Sequence, residues 1–449
     1  MASMDKRKWL YLPIETKVRE LDAKLLLTYY AVQANYKVVL GLSGMIEQSL
    51  EYLPNGIFLD KGYLWKDKVR RFGLAKKSGH IVVNLEEEGF PLTEKEIYLD
   101  KHLSQESLNH LDYEYCWGPY QRDTIVAAYP SAKKKCMITG NTRFDLLDKK
   151  YRSLFNSSTK QIREKYGDFI LVNTKFPLYT KTVNEDGEHN NSLVKRLKNK
   201  YGSYRYENMK SKYKKFIHMV RALSIEFPQM NLVIRPHPSD KFEVFARDLV
   251  DCENVYVVHE GNVVNWINAS QLVIHNGCTT GVEAFLLEKP VISFITSDEN
   301  TFDLPNEMSI KMEEVEDICM FIRSDMKSYN FSENKFKEKQ KADLLQKYYS
   351  HNPNKLSYQN IIRKLNALKT NRLSPKHIKI SSKHMRVLNK ESTSKNRLYR
   401  KNKIVKQKFP DLTEKEIENF FKKLNLIEGK KVRINVRKLH DKLFEITRY

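Results

Sequence analysis

The chain has 449 residues, of which 41% are hydrophobic and 11% aromatic, and its formal net charge is +23. This length and apolar content are enough for two buried cores and some further structure. We find no apolar run of the roughly 18 residues that a membrane span needs and no signal-peptide pattern. We therefore expect a globular cytoplasmic protein. Its five cysteines are widely spaced, which favours neither a disulfide framework nor a zinc site.

The positive charge is concentrated toward the carboxyl end of the sequence. Residues 369–408 contain fourteen Lys and Arg and one acid, whereas residues 409–449 add +3 and residues 1–368 only +7. Few apolar residues interrupt the basic stretch, which predicts a flexible linker or tail. Residues 409–449 return to helical spacing, with Thr413 and Glu416 as a capping box, and we predict a small helical segment there.

Short apolar runs alternate with longer amphipathic stretches along the rest of the chain. The predicted strands are WLYLPI, KVVLG, GIFLD, HIVVNL, EYCWG and KCMITG, and then, after about residue 165, DFILVNT, NLVIRPHP, VYVVHE, QLVIHNG and PVISF. This rhythm is typical of parallel sheets with crossover helices. We predict an α/β fold of two doubly wound Rossmann-like domains, residues 1–155 and 156–345, followed by a returning helix over residues 346–368.

Doubly wound sheets bind ligands at the carboxyl ends of their strands, so we expect the site in a cleft between the domains. The loop HNGCTTGVEAFLLEKPVISF is the strongest candidate. Asn276 and Gly277 end a strand there, and a helix begins near Thr280. The N–H groups of a helix start and the hydroxyls of Thr279 and Thr280 suit a phosphate or carboxylate. Glu283 could reach a ribose hydroxyl. The alternative is an ordinary threonine cap with a structural glycine.

The second candidate loop is RPHPSD, directly after the strand NLVI. Two prolines restrict the backbone around His237, which can then donate to a phosphate or a base carbonyl. Arg235 either binds an anion or braces the loop, and a structural histidine is the alternative. We include Pro238 in this predicted nucleotide site, together with Asn173 and Thr174 at the end of DFILVNT.

The third candidate is the triplet Glu86 to Glu88, which follows the strand HIVVNL. Like charges this close raise one another's pKa, so we expect one carboxyl to accept a proton near neutral pH, as deprotonation of a sugar hydroxyl requires. The alternative is a solvated strand end. In the fourth loop, GNTRFD, Arg143 and Asp145 could pair at the hinge, which favours a structural role.

Several motifs together resemble the bacterial surface carbohydrate biosynthesis family over about residues 8–368: RPHP, TTGVEAFLLEKPVI, EEG, WGPYQRDTI and GNTRFDLL. That family looks like GT-B glycosyltransferases that use CMP-activated 3-deoxy-ulosonic acids, such as Kdo transferases and bacterial sialyltransferases. The resemblance implies transfer of Kdo or a related nonulosonate from a CMP-sugar to a glycan or lipid-linked glycan acceptor. It implies no cofactor besides this donor and no metal.

Three motifs of bacterial sialyltransferases have counterparts in this chain: a catalytic acidic pair before a glycine, a His-Pro pair that contacts the CMP phosphate or base, and two hydroxyls that hold the donor phosphate. In the same order, the counterparts are Glu87 and Glu88 with Gly89, His237 with Pro238, and Thr279 with Thr280. The chain departs from the sialyltransferase pattern, which often has aspartate and serines at these places. GNTRFD also resembles enzymes that transfer glycerol phosphate from CDP-glycerol.

Three alternatives belong to other classes. One is a CDP-glycerol-type polyol-phosphate transferase, another is an inactive GT-B scaffold, and the third is a non-catalytic basic protein that binds nucleic acid or a membrane. The sequence has no RNA-recognition motif and its charge lies mostly outside the predicted domains, so we expect no nucleic-acid partner. We expect residues 369–408 to hold the enzyme reversibly on an anionic membrane, at the inner face.

Overall fold

The computed structural model describes residues 7–87, 95–184, 187–296, 303–324, 326, 335–350, 352, 354–369 and 408–449. The chain forms two compact units, one of residues 1–154 with 342–449 and the other of residues 155–341. Glu88, Gly89 and nearly all of the basic stretch 369–408 lie outside the described residues, so the predictions made for them remain predictions.

All eleven predicted strands are present, and three more follow them. The strands are β1 Lys8–Ile14, β2 Tyr36–Leu42, β3 Ile57–Asp60, β4 Ile81–Leu85, β5 Tyr113–Cys116, β6 Cys136–Ile138, β7 Phe169–Asn173, β8 Asn231–Arg235, β9 Val255–Val257, β10 Leu272–His275, β11 Val291–Phe294, β12 Ile310–Met312, β13 Ile434–His440 and β14 Leu443–Arg448.

Amphipathic helices connect the strands, and short 3-10 turns lie at Leu50–Tyr52, Pro130–Ala132 and Lys149–Phe155. The helices are α1 Lys17–Gln33, α2 Ser43–Ser49, α3 Trp65–Lys77, α4 Lys95–His102, α5 Gln105–His110, α6 Pro119–Ala128, α7 Thr142–Asp145, α8 Asn156–Tyr166, α9 Pro177–Thr180, α10 Asn191–Tyr201, α11 Ser203–Glu226, α12 Phe242–Asp248, α13 Val263–Ala269, α14 Thr280–Leu286, α15 Leu304–Glu307, α16 Val315–Ser324, α17 Lys335–Tyr349, α18 Ser357–Asn366 and α19 Glu414–Glu428. No helix of the described part of the chain is long and apolar enough to span a membrane.

The first unit is built on an eight-stranded sheet in the order β13-β14-β2-β1-β3-β4-β5-β6. Strands β1 to β6 pair in parallel. Strand β2 lies on one side of β1 and strands β3 to β6 lie on the other, as a doubly wound sheet requires. Nearly every residue of β1 to β4 is buried, because helices cover both faces of the sheet. The carboxyl ends of these parallel strands therefore meet along one edge.

The second unit is built on a six-stranded parallel sheet in the order β12-β11-β10-β7-β8-β9. Strand β7 comes first in the chain, the next two strands extend the sheet on one side of it, and the later three extend it on the other side. The strand order therefore reverses between β7 and β10, and loops that leave these neighbours diverge there.

The carboxyl-terminal segment differs from the small helical segment that we predicted. Helix α19 is present, and Thr413 caps it by accepting from the N–H of Glu416 at 3.2 Å. Strands β13 and β14 then form an antiparallel hairpin, and β14 pairs antiparallel with β2. A Cβ on Gly41 of β2 would lie 2.1 Å from the Lys442 carbonyl, so the close approach of this hairpin needs a glycine there. An unpaired β2 would leave its backbone groups exposed, and the hairpin satisfies them.

The basic stretch begins and ends on the first unit. The Nζ of Lys8, at the start of β1, donates to the carbonyl of Leu368 at 2.9 Å. At the other end of β1, Glu15 forms an ion pair with Lys408 at 2.7 Å. Residues 370–407 therefore connect two fixed points of one unit, which makes this stretch a linker rather than a terminal tail.

Candidate functional site

The predicted nucleotide-binding residues of the second unit lie at the carboxyl ends of three neighbouring strands. Asn173 ends β7 and pairs in register with Arg235 of β8 on one side and with His275 of β10 on the other. This is the point where the strand order reverses, which is where open α/β sheets bind their ligands. The structure therefore brings the RPHP loop, the Asn173–Thr174 loop and the Thr279–Thr280 loop to one edge of this sheet.

The imidazole of His237 is held by its own loop. Its Nδ1 accepts from the N–H of Ser239 at 3.1 Å and lies 2.6 Å from the Ser239 hydroxyl. Because Nδ1 is an acceptor, the proton of the neutral ring is on Nε2. The side chain is half-buried and Pro238 beside it is exposed. His237 can thus present a proton donor, and as imidazolium a positive charge, toward an anion.

Asp240 connects the loops after β7 and β8, and the sequence analysis assigned it no role. Its carboxylate accepts from the N–H groups of His237 and Phe176, each at 3.1 Å, and from the Thr174 hydroxyl at 3.3 Å. Burial raises the pKa of Asp240, although these backbone donors oppose the rise. Asp240 therefore fixes the backbone of His237 relative to the end of β7.

Arg235 braces a neighbouring loop. Its guanidinium donates to the carbonyls of Glu260 and Gly261 and lies over the ring of Trp266, 5.0 Å from the centroid. Burial lowers the pKa of Arg235 to about 10. Of the two roles considered for this residue, bracing is the one for which the structure shows the contacts.

Helix α14 begins beside the end of β7. The Thr280 hydroxyl is buried and accepts from the amide of Asn173 at 3.1 Å, whereas the Thr279 side chain is exposed. Glu283, in the first turn, is only 7% exposed, so it packs against the protein rather than extending into solvent. Asn276 and Gly277 precede the helix and are half-buried. Thr279 is thus the hydroxyl of the pair that is directly available to a ligand.

A buried histidine shapes the start of this loop. The Nδ1 of His275 accepts from the N–H of Gly277 at 3.0 Å and of Cys278 at 3.3 Å, and its Nε2 lies 2.8 Å from the Ser309 hydroxyl. Burial lowers the pKa of His275 to about 3, so the ring is neutral. A Cβ on Gly281 would lie 2.3 Å from this Nε2, so the helix needs glycine at that position. Two N–H groups that directly precede the helix start are therefore already bonded to His275.

One exposed cation accompanies these loops. Lys175 directly follows Thr174 and is exposed. Burial raises the pKa of Asp303 to about 6 and also raises the pKa of Cys278. The positive charge of Lys175 is close enough to both groups to oppose these rises. Lys175 can therefore contribute positive charge to the strand-end surface of this unit.

The carboxylates predicted in the first unit lie in a buried network. Glu86 and Glu87 are at most 1% exposed. The Nζ of Lys24 lies 2.6 Å from the Glu87 carboxylate, and the Nζ of Lys68 lies 3.2 Å from that of Glu86. Burial would raise the pKa of Glu86, but Lys68 and His102 lower it below its usual range. The expectation that like charges raise the pKa within the triplet is wrong for Glu86, because each of these carboxylates has its own lysine.

The backbone of this strand end is held by the GNTRFD loop and by a tryptophan. The amide of Asn141 donates to the Glu86 carbonyl at 3.2 Å, and Arg143 donates to the Glu87 carbonyl at 2.8 Å. The indole N–H of Trp117 also donates to the Glu86 carbonyl, at 2.6 Å. Three side chains thus restrict the geometry at the point where the chain enters residues 88–94.

Asp145 has a separate role from Arg143, with which we considered a pair. Its carboxylate accepts from the N–H groups of Ser357 and Tyr358 at 2.7 and 2.8 Å, at the start of α18. A carboxylate satisfies the N–H groups and dipole of a helix start. Burial raises the pKa of Asp145 to about 6, although the two N–H donors oppose the rise. The loop therefore holds both the carboxylate strand end and the returning helix.

The residues that the sequence analysis missed carried weak signals. Lys24 is a lysine within the apolar stretch LDAKLLLTYY, which is unusual unless the charge is paired. Asp240 is the last residue of RPHPSD, a position from which a carboxylate often bonds its own loop. His275 ends a fully apolar strand. Each residue was visible, but one partner of each is distant in sequence: Glu87 for Lys24, Phe176 for Asp240 and Ser309 for His275.

Comparison with known proteins finds similarity of fold. No protein-family profile and no curated protein matches the sequence. A candidate UDP-N-acetylglucosamine 2-epimerase from Listeria monocytogenes matches with a TM-score of 0.50 and 13% identity, over 80% of this chain and 96% of that chain. The UDP-GlcNAc 2-epimerase from Neisseria meningitidis has a TM-score of 0.47 and 13% identity, over 80% and 99%. The wall teichoic acid polymerase TagF has a TM-score of 0.49 and 12% identity, over 80% and 88%.

The similarity covers 96% of the Listeria structure and 80% of this chain, so it extends across both α/β units. Two Rossmann-like sheets in one chain are also what the strand orders show directly. The predicted fold class is confirmed: the protein has a GT-B type α/β fold of two doubly wound domains.

Proposed function

We propose that the protein is a glycosyltransferase of surface polysaccharide biosynthesis that uses a cytidine nucleotide-activated donor. The donor we favour is a CMP-activated 3-deoxy-ulosonic acid, Kdo or a related nonulosonate, and the acceptor is a glycan. The observation that carries the proposal is the convergence of His237, Thr279 and Asn173 at the strand-order reversal of the second unit. The motifs that contain His237 and Thr279 resemble the CMP-binding motifs of bacterial sialyltransferases.

The chemistry of these residues suits a leaving nucleotide. CMP departs as an anion, and fixed donors stabilise developing negative charge most effectively when they need no reorganisation. His237 is restrained by Ser239 and Asp240, and the exposed Lys175 adds a cation nearby. These groups supply hydrogen bonds and charge from protein side chains alone, which is consistent with a donor that needs no metal.

Replacement of His237 by Ala is expected to weaken CMP binding at least about tenfold, because one charge-assisted hydrogen bond is lost. Isothermal titration with CMP, UMP and GMP measures this loss and the base preference together. His218→Ala, an exposed histidine on α11, is the matched control and should bind CMP like the native chain. Equal affinity of the native chain for all three nucleotides would contradict a cytidylate site.

A CDP-glycerol-type polyol-phosphate transferase is the alternative, because GNTRFD also resembles a stretch of those enzymes. Both reactions release CMP, so affinity for CMP does not separate them. Incubation with CMP-Kdo, CMP-sialic acid and CDP-glycerol in parallel does, when the mass of the extended acceptor is measured. A product heavier by glycerol phosphate would replace the ulosonate assignment, and a requirement for a uridine donor would exclude both.

The acceptor-activating base that we propose lies in the acidic triplet of the first unit. Glu87 is buried against Lys24, so we assign the larger role in proton transfer to Glu88. Glu88→Gln is expected to lower the transfer rate at least about a hundredfold with little change in CMP affinity, because it removes a base but no donor contact. Single-turnover kinetics with a saturating donor measure this rate.

The exposed Glu96 on α4 provides the control, and Glu96→Gln should keep native turnover. Glu87→Gln is compared at a temperature where it is fully folded. Near-native rates for both Glu87→Gln and Glu88→Gln would remove the triplet from catalysis. Association of residues 369–408 with an anionic membrane remains a prediction of this proposed function.

A further inference from the structure

Helices α10 and α11 differ in charge from the rest of residues 1–368. Residues 191–215 contain nine Lys and Arg and one acid, Glu207, so this stretch carries +8. Residues 1–368 together carry only +7, so the remainder of that range sums to −1. The whole basic excess that precedes residue 369 is therefore confined to one helical hairpin.

The charged side chains of this hairpin are directed to solvent. Helix α10 has no buried residue, and its Lys195, Arg196 and Lys200 are exposed. Lys214 and Lys215 are exposed on the first half of α11. The hairpin is nevertheless rooted in the fold, because α11 contributes core residues of the second unit: Tyr213, Phe216, Met219, Val220 and Leu223. A rigid element thus carries the basic surface.

Two further features accompany the charge. The single acid of the stretch is neutralised, since Glu207 lies 2.6 Å from the Nζ of Lys198. At the turn between the helices, Tyr201 is 38% exposed and Tyr204 is 77% exposed, on either side of Gly202. Aromatic side chains therefore project from one end of the hairpin, next to its basic face.

We infer that α10 and α11 form a docking surface for an anionic phospholipid membrane. The apolar face of α11 is used in the protein core, so the attraction rests on the exposed basic side chains and on the tyrosines at the turn, a residue type that is enriched at the membrane interface. Each Lys or Arg near an anionic surface adds attraction that falls off within about a Debye length, so several clustered charges act together.

A membrane explains the pattern better than a nucleic acid does. Sites for single-stranded nucleic acids interleave aromatic and basic side chains along a groove, so that successive bases stack. Here the two exposed tyrosines lie at the turn, where Lys200 and Arg205 lie over the ring of Tyr201, whereas Lys195, Arg196, Lys214 and Lys215 are exposed further along the two helices without an exposed tyrosine beside them. This surface belongs to the second unit and is independent of residues 369–408 and of the proposed transferase activity.

The test uses the full-length chain with two quintuple variants of equal charge. The hairpin variant replaces Lys195, Arg196, Lys200, Lys214 and Lys215 with Gln. The control variant replaces five other exposed lysines with Gln: Lys66, Lys77, Lys133, Lys134 and Lys160. Co-sedimentation with vesicles of phosphatidylglycerol and phosphatidylcholine at low salt is expected to show at least about tenfold weaker binding for the hairpin variant. The control should stay within about twofold of the native chain.

Tyr204→Ser separates insertion of the aromatic ring from charge. It should weaken binding at 0.5 M salt, where electrostatic attraction is screened, by at least about threefold. Equal losses for both quintuple variants, native binding by the hairpin variant, or no binding of the native chain to anionic vesicles would each overturn the inference. So would a hairpin variant that loses only its affinity for a single-stranded RNA probe.

Discussion

A chain that stops after Leu368 is expected to lose the folded first unit, because the truncation removes α19, β13 and β14 together with the basic linker. The deleted part includes β14, whose Leu443, Phe444 and Ile446 are fully buried, and α19, whose Leu424 is fully buried. Loss of each large core side chain costs about 2–5 kcal/mol, and a whole domain is stable by only about 5–15 kcal/mol. Several such losses exceed that margin.

Thermal unfolding and limited proteolysis of the truncated chain measure this effect. The appropriate control keeps residues 409–449 and replaces the Lys and Arg of residues 372–406 with Gln, which removes the charge but leaves the sheet intact. That variant should unfold within a few degrees of the native chain and should show whether the stretch binds anionic vesicles. A truncated chain that retains the native melting temperature would contradict a structural role for the hairpin.

Lys24→Met is expected to destabilise the first unit by about 3–5 kcal/mol, because it leaves the Glu87 carboxylate buried without its partner. Both side chains of the pair are only 1% exposed, so solvent cannot replace the ammonium. Removal of one partner of a fully buried ion pair is costly, whereas replacement of both partners with apolar side chains can be nearly neutral in stability. Chemical denaturation monitored by tryptophan fluorescence measures the change.

The double variant Lys24→Met with Glu87→Leu completes the cycle and should recover much of the lost stability. Lys77→Met, an exposed lysine of α3, controls for the substitution itself and should change stability by less than about 0.5 kcal/mol. If Lys24→Met were as stable as this control, solvent or the Asn141 amide, which donates to the Glu87 carboxylate at 3.3 Å, would be enough to stabilise that carboxylate without the ammonium. A direct catalytic role for Glu87 would then gain support over the supporting role that we assign.

The sequence predicted most of the parallel strands because they are buried on both faces and read as continuous apolar runs between polar stretches. It missed β13 and β14 for a related reason. In INVRKLH the alternation of apolar and polar residues that indicates a half-buried strand breaks at Arg437 and Lys438, and the turn Asp441–Lys442 lacks the glycine that usually marks a tight hairpin. The pairing with β2 was invisible, since the paired residues are more than four hundred positions apart in the chain.

The candidate site divides in the same way. The motifs at strand ends were recognisable locally, because prolines, glycines and hydroxyl residues mark the loops after β8 and β10. The groups that hold those motifs were not. Asp240, His275 and Lys24 each have a partner that only the folded chain brings near: Phe176, Ser309 and Glu87. Arg235 had two possible roles, and its contacts with Glu260, Gly261 and Trp266 favour bracing.

The sequence by itself determined the α/β class, the places of the parallel strands and the loops where chemistry is expected, since these depend on periodicity and on the backbone preferences of single residues. Only the tertiary structure decided which charges are neutralised. The triplet Glu86 to Glu88 is predicted from the sequence to hold a proton acceptor near neutral pH, with a solvated strand end as the alternative. In the fold, α3 buries Lys68 against Glu86 and α1 buries Lys24 against Glu87. Pairing of this kind depends on distance and desolvation, which residues acquire only when elements that are far apart in sequence pack together.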